Sequence, residues 1–177
     1  MYAKSAEIYD LLYSSKDYAG ETKKLLRFLR GRFRPPGLRL LETGCGTGLY
    51  LEQLRKHFDI EGLDISPEMV AAARRRLPGV PIHIGDFGEF DLDREFDVIV
   101  CLFSSIGYAR NLRGLSRAIA RMAAHLAPGG ILVVEPWFLP ENYHPGFLNS
   151  SHFKTEKLHV ARMVTARRRG RISRGSR

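Results

Sequence analysis

Apolar positions along this chain recur with two alternating rhythms. Residues 20–33 (GETKKLLRFLRGRF) carry Leu25, Leu26, Leu29 and Phe33 at three-to-four-residue spacing, which predicts an amphipathic helix ended by the Pro35-Pro36-Gly37 breaker. LRLLET then reads as a short buried strand, LYLEQLRKHF as a helix and FDIEGLD as a strand. Ser66 has the chemistry of a helix cap, with Pro67 in the first turn and AAARRRL in the body. VPIHIG and the β-branched FDVIVCLF read as two further strands. Residues 111–127 predict a helix with Leu112, Leu115, Ile119, Met122 and Leu126 on one face, stopped by Pro128-Gly129-Gly130, and ILVVEP follows as the fifth strand.

Short apolar strands that alternate with helices pair in parallel through right-handed crossovers, so the expected fold is α/β: a Rossmann-like, doubly wound sheet covered on both faces. Ligands on such sheets bind at the carboxyl ends of the strands. The pattern divides the chain into a core over residues 1–136, a lid or substrate loop over 137–157, and a basic tail over 158–177. The loop mixes prolines with aromatics and polar residues. The tail reads as one strand plus the start of a second near Gly170, an incomplete C-terminal hairpin that needs something to pair with.

Composition narrows the picture. The chain has 177 residues, 44% of them hydrophobic, enough for one sizeable core. Its net charge of +9 invites a nucleic-acid reading. However, residues 1–156 hold 20 basic against 19 acidic residues, and the excess comes from eight basic residues after them. A nearly neutral body argues against nucleic acid as the partner. No apolar run suggests a membrane span and the first residues do not read as a signal peptide, so a cytoplasmic protein is expected. Cys45 and Cys101 read as reduced thiols, and the histidines show no metal-ligand spacing, so no metal is expected.

The strand ends carry the candidate chemistry. In ETGCGTG, Gly44, Gly46 and Gly48 sit between a strand and a helix, where the main chain can approach a polar ligand closely. The spacing fails both the dinucleotide fingerprint and the P-loop, so phosphate is not the first choice of ligand. Asp64 ends the second strand, where a carboxylate can accept from both hydroxyls of a ribose. Asp86 ends the third, where it can accept from an adenine amino group while Phe87 lies against the ring.

Together these motifs resemble the class I S-adenosylmethionine-dependent methyltransferases, through ETGCGTG, GLDIS, GDF, VCLFSS and LAPGGILVVEP in order. Residues 1–156 are most similar to the N,N-dimethyltransferases of nucleotide-linked 3-amino-3,6-dideoxyhexoses, through AEIYDLLY, KDYAGE, CLFSSIGY and VEPWFLPENYHPGF. The resemblance implies S-adenosylmethionine as cofactor and S-adenosylhomocysteine as its product. It implies that the three glycines face the methionine part, that Asp64 holds the ribose, that Asp86 and Phe87 take the adenine with Leu102 beneath, and that Ile65 also contacts the cofactor. Tyr9 and Tyr18 would close over the cofactor. Ser105 and Tyr108 are the expected catalytic contacts, with Tyr108 at the family's acid/base position. Ser104, Glu135, Trp137 and Tyr143 are the expected substrate contacts.

The expected partner is a small molecule, a nucleotide-linked amino sugar, and a homodimer is left open. Three alternatives are another small acceptor, a truncated cofactor-binding protein without turnover, and an RNA methyltransferase that uses the basic tail. The resemblance also implies several strands beyond residue 177, so the expectation is a chain that stops short of its relatives, or one whose missing pairing comes from another subunit.

Overall fold

The computed structural model describes residues 5–32, 37–136, 144, 146–156 and 158–165. The chain divides into two compact units, Met1–Trp137 and Phe138–Arg177.

In the first unit, β1 (Arg39–Thr43) pairs in parallel with β2 (Asp59–Asp64) on one side and β4 (Phe96–Cys101) on the other. Outside these lie β3 (Ile82–Ile84) and β5 (Leu126–Val134), so the order is β3-β2-β1-β4-β5 and every pairing is parallel. The chain steps outward from β1 to β3 and then returns to the other side of β1, so the topological switch lies between β1 and β4. A crevice opens there at the strands' carboxyl ends.

Among the described residues this unit has five α-helices: α1 (Ser5–Leu12), α2 (Tyr18–Leu29), α3 (Leu49–Leu54), α4 (Pro67–Arg76) and α5 (Leu112–Ala123). Side chains alternate across each strand. Leu40, Val98 and Val100 therefore pack with Leu51, Leu54 and Ala73 on one face, while Leu41, Ile99 and Cys101 pack with Ala118 and Met122 on the other. Each fully buried aliphatic side chain contributes about 1.5–3 kcal/mol to this two-sided core.

Local chemistry moves two predicted boundaries. Helix α2 starts at Tyr18 rather than Gly20, because the Asp17 carboxylate accepts from the Gly20 N–H at 2.8 Å. Phe33 and the Pro35-Pro36 breaker lie outside the described residues. Helix α5 ends at Ala123, and Pro128-Gly129-Gly130, expected as a helix stop, falls inside β5. The β4–β5 register jumps from Phe96↔Leu126 to Val98↔Ile131, so residues 127–130 form an irregular bulge. A proline is tolerated there because it falls in the bulge, where the ladder with β4 is interrupted.

In the second unit, β6 (Leu148–Lys154) and β7 (His159–Thr165) form an antiparallel pair. Thr155 N–H donates to the Leu158 carbonyl at 2.8 Å across the turn. The first strand of this hairpin thus comes from the segment expected to be a loop, and residues 159–165, expected as a strand, pair backward with it. The reason is the alternating run Leu148–Lys154, whose polar residues hid a strand pattern. Residues 166–177 lie outside the described residues. Among the described residues, no helix is long and apolar enough to cross a membrane.

Candidate functional site

The three glycines of the β1–α3 loop all adopt left-handed backbone, with φ of +70°, +55° and +83° at Gly44, Gly46 and Gly48. Their surroundings differ. A Cβ on Gly44 would lie 2.8 Å from the Cβ of Ser105, and one on Gly48 would lie 3.1 Å from Leu77 and 3.3 Å from Ala73. A Cβ on Gly46 would meet nothing within 4 Å. Gly44 therefore permits a close approach of the β4 loop, and Gly46 leaves open space. Gly48, expected to face a ligand, also lets the loop pack on α4. The Gly44 and Cys45 N–H groups donate to the Leu63 carbonyl at 2.7 and 3.0 Å, tying the loop to the end of β2.

Asp64 completes that tie. One carboxylate oxygen accepts from Gly46 N–H at 2.8 Å and the other from Ser66 N–H at 2.9 Å. Burial raises its pKa, and the backbone donors from Ser66 and Gly46 oppose that rise. A carboxylate offers about four lone-pair directions. Each Asp64 oxygen thus keeps capacity for a further donor. Ile65 follows at 66% exposed, an apolar surface beside the carboxylate. Asp86 accepts from Gly88 N–H at 2.6 Å, and Phe87 next to it is half-buried.

Between the glycine loop and the N-terminal helices lies a pocket lined by Tyr9, Tyr18, Glu42, Gly44, Leu102 and Ser105, among others. Five of these six were expected in the site. Glu42 was not assigned a role, although an acidic residue inside the apolar run LLET was a signal. It is 2% exposed, and burial together with the charge of Asp64 raises its pKa well above the usual carboxylate range. Glu42 Oε2 and Tyr18 Oη are both buried without a hydrogen-bond partner, one an acceptor and the other a donor. Burial pushes the Tyr18 phenol up to about 12, so it stays protonated and able to donate.

Aromatic rings of the same pocket surround a cation that sequence reasoning missed. Lys16 Nζ lies 4.4 Å from the Phe103 ring centroid, 5.6 Å from Tyr18 and 5.7 Å from Tyr50. Its side chain is 16% exposed and pairs with Glu21, which also accepts from the Tyr50 hydroxyl. A polar residue in a short linker carries no periodic signal, so only the fold brings it here.

The loop after β4 is held by its own polar groups. Phe103 and Ser104 have φ of +52° and +59°, left-handed values that cost a non-glycine residue about 1–3 kcal/mol. Glu135 accepts from Phe103 N–H at 2.6 Å, Ser104 Oγ donates to the Pro136 carbonyl at 3.0 Å, and Ser105 Oγ donates to the Gly44 carbonyl at 3.3 Å. Three residues expected to contact substrate or do catalysis thus also brace this loop. Tyr108, in a short 3-10 helix over Ser105–Ala109, is 75% exposed and does not line the pocket. Trp137 and Tyr143 lie outside the described residues. Among the described residues, no group of three or more His, Cys, Asp or Glu could hold a metal ion.

This donor set fits S-adenosylmethionine. The orphan Glu42 oxygen and Tyr18 hydroxyl suit the ammonium and carboxylate of an amino acid, the space over Gly46 admits it, and Asp64 has the capacity left for two ribose hydroxyls.

Comparison with known proteins agrees. A family profile described as a methyltransferase domain matches residues 40–130. The chain is 40% identical over 172 residues to the dTDP-3-amino-3,4,6-trideoxy-α-D-glucopyranose N,N-dimethyltransferase of Streptomyces venezuelae, covering 96% of this chain and 72% of that protein. It is also 40% identical to the dTDP-3-amino-3,6-dideoxy-α-D-glucopyranose N,N-dimethyltransferase of Streptomyces fradiae, covering 96% and 67%. Among solved structures, Streptomyces venezuelae DesVI superposes with a TM-score of 0.85 at 40% identity, over 93% of this chain and 71% of that one. An S-adenosylmethionine-bound amino pentose methyltransferase from Micromonospora echinaspora gives a TM-score of 0.83 at 40% identity, over 93% and 70%. With the glycine loop, the two strand-end aspartates and these likenesses in agreement, the chain belongs to the class I S-adenosylmethionine-dependent methyltransferases.

Proposed function

We propose that this protein N-methylates a nucleotide-linked amino sugar. The observation that carries the reading is the 40% identity, across nearly the whole chain, to enzymes named as dTDP-amino-sugar N,N-dimethyltransferases. Bound S-adenosylmethionine supplies an electrophilic methyl group on a sulfonium and leaves as S-adenosylhomocysteine.

The chain's own residues supply grip and alignment. Asp64 holds the ribose with the lone pairs its backbone donors leave free. Asp86 and Phe87 take the adenine, with Ile65 and Leu102 supplying apolar contact. Glu42 accepts from the ammonium of the methionine part and Tyr18 donates to its carboxylate. The ring faces of Tyr9 and Tyr18 attract a sulfonium by cation–π interaction. Alignment of nucleophile and methyl group accounts for most of the acceleration, since the displacement spreads charge rather than creating it.

The acceptor approaches over the loop after β4, which Ser104, Ser105 and Glu135 hold in shape. Its ammonium must give up a proton to expose the lone pair, and solvent at the exposed Tyr108 hydroxyl is the outlet, with Tyr108 itself a positioning contact. The reading assigns residues 1–136 to the cofactor and residues 137–157, with Trp137 and Tyr143, to the substrate, with the basic tail following from residue 158. The reading also assigns the protein to the cytoplasm and leaves assembly to a homodimer, which size-exclusion chromatography with light scattering tests.

The deciding experiment incubates the protein with S-adenosylmethionine and a panel of dTDP-linked 3-amino and 4-amino sugars, read by mass spectrometry. A gain of one or two methyl masses on the sugar amine is expected. Methylation of other small amines or hydroxyl compounds but of no sugar would overturn the acceptor. Binding of S-adenosylmethionine with every acceptor unmethylated would overturn turnover itself.

A further inference from the structure

One charged cluster lies beside the cofactor crevice without lining it through its cation. Arg76, in the last turn of α4, donates from one guanidinium nitrogen to the Thr47 carbonyl at 2.6 Å and from the other to Asp10 Oδ2 at 2.6 Å. Thr47 Oγ1 donates to Asp10 Oδ1 at 2.5 Å. The three hydrogen bonds form a closed ring that joins α1, the glycine loop and α4. It is largely shielded from water: Thr47 is 1% exposed, and the Arg76 and Asp10 side chains are 23% and 31% exposed.

Helix α1 depends on such contacts. Eight residues are too few to hold a helix in water without tertiary support. Further support comes from the buried Ala6 and from rings: Tyr9 lies tilted against Tyr13 at 4.8 Å, and Tyr13, just past the helix, meets Phe103 edge-on at 4.8 Å. Tyr9, the residue of α1 that lines the pocket, is the immediate neighbour of Asp10. An ion pair that holds Asp10 therefore also restrains the helical turn that carries Tyr9. Thr47, in the glycine loop itself, ties the same turn to that loop.

We propose that Arg76 is a positioning residue that clamps α1 over the cofactor crevice through Asp10 and Thr47, and so sets how fast S-adenosylhomocysteine leaves. The proposal rests on the reading that the crevice beside Gly44 and Gly46 takes the cofactor. It does not require Arg76 to touch the cofactor. A partly buried, doubly hydrogen-bonded guanidinium is among the stronger ionic contacts, and its loss frees a segment that product must displace to escape.

The test measures S-adenosylhomocysteine dissociation by stopped-flow displacement in the full chain and in Arg76→Ala, Arg76→Lys and Thr47→Val. Amide hydrogen exchange over residues 5–12 is followed in parallel. Arg76→Ala is expected to speed dissociation about tenfold, the factor that corresponds to losing one good ionic contact, and to speed exchange in α1 with and without ligand. Arg76→Lys keeps the charge but not the two-pronged geometry and falls between. In steady state the KM for S-adenosylmethionine rises while kcat holds within about twofold, unless product release limits turnover, in which case kcat rises.

Lower thermal stability in Arg76→Ala with dissociation and α1 exchange unchanged would overturn the clamp and leave a merely structural ion pair. If Arg76→Ala does not fold, Thr47→Val, which removes the hydroxyl at nearly constant volume, must show the same acceleration or the clamp fails. A wild-type protein that binds no S-adenosylhomocysteine would overturn the cofactor reading instead, an outcome distinct from tight binding that Arg76 does not influence.

Discussion

The two halves of the crevice are built on opposite terms. On the side of β1 and β2, glycines absorb the unusual backbone angles, one glycine leaves open space, and polar groups at Glu42, Tyr18 and Asp64 are left with unused hydrogen-bonding capacity. On the side of β4 and β5, non-glycine residues take left-handed angles, and Glu135, Ser104 and Ser105 direct their polar groups at the backbone. A site that keeps buried donors and acceptors in reserve is prepared for a ligand of fixed chemistry, because each unmet group costs about 1–3 kcal/mol until the ligand meets it. A loop that satisfies itself leaves its specificity to shape and to residues farther along the chain. The cofactor half is thus preformed, and the acceptor half is a braced rim.

That contrast can be broken most sharply at Asp64. Asp64→Ala removes two charged acceptors for the ribose and should weaken S-adenosylhomocysteine binding about 100-fold or more by titration calorimetry, with the circular dichroism of the fold retained. Unchanged affinity would mean that the strand end does not hold the nucleoside. Next is Gly44→Ala: with φ at +70° and a Cβ 2.8 Å from that of Ser105, it should cost about 2–3 kcal/mol in urea unfolding and loosen both halves at once.

Glu42 gives a smaller effect with a definite sign. Its folded pKa is raised above 4.5, so between pH 4.5 and that raised value the folded protein binds more protons than the unfolded chain. Stability of the cofactor-free protein therefore falls as pH rises through this window. A cationic ligand favours the carboxylate, so binding should release up to about one proton, seen as a buffer-dependent calorimetric heat, and affinity should rise with pH in the same window. Glu42→Gln should flatten the stability profile and remove the proton release. A profile for Glu42→Gln that matches the wild type would assign the pH dependence elsewhere. The smallest effect is on the rim: Tyr108→Phe, at a residue 75% exposed, should change kcat less than about threefold and leave cofactor affinity unaltered. A hundredfold loss would return Tyr108 to acid/base catalysis.

Much of the fold was readable as pattern. Buried parallel strands such as Arg39–Thr43 and Phe96–Cys101 carry apolar residues on both faces around a few polar ones, and Ser66-Pro67 is a local capping signal, so each declares itself within a few residues. The fifth strand was legible from Ile131 on, but its start through Pro128 escaped notice because a proline there depends on a bulge in the β4–β5 ladder, a property of the sheet and not of the segment. Of the hairpin over residues 148–165 the second strand was legible, and the first, Leu148–Lys154, escaped because it is largely polar.

The same division holds for the site. That ETGCGTG, Asp64 and Asp86 stand at strand ends could be read directly, since strand ends follow from local pattern in a βα repeat. That Gly48 serves packing on α4, that Lys16 lies among three rings, and that Asp10, Thr47 and Arg76 close one ring were decided only when α1, the glycine loop and α4 came together. Local pattern reports the free energy of a segment against water. Contacts between residues 37 and 66 positions apart report distances that only the folded chain defines.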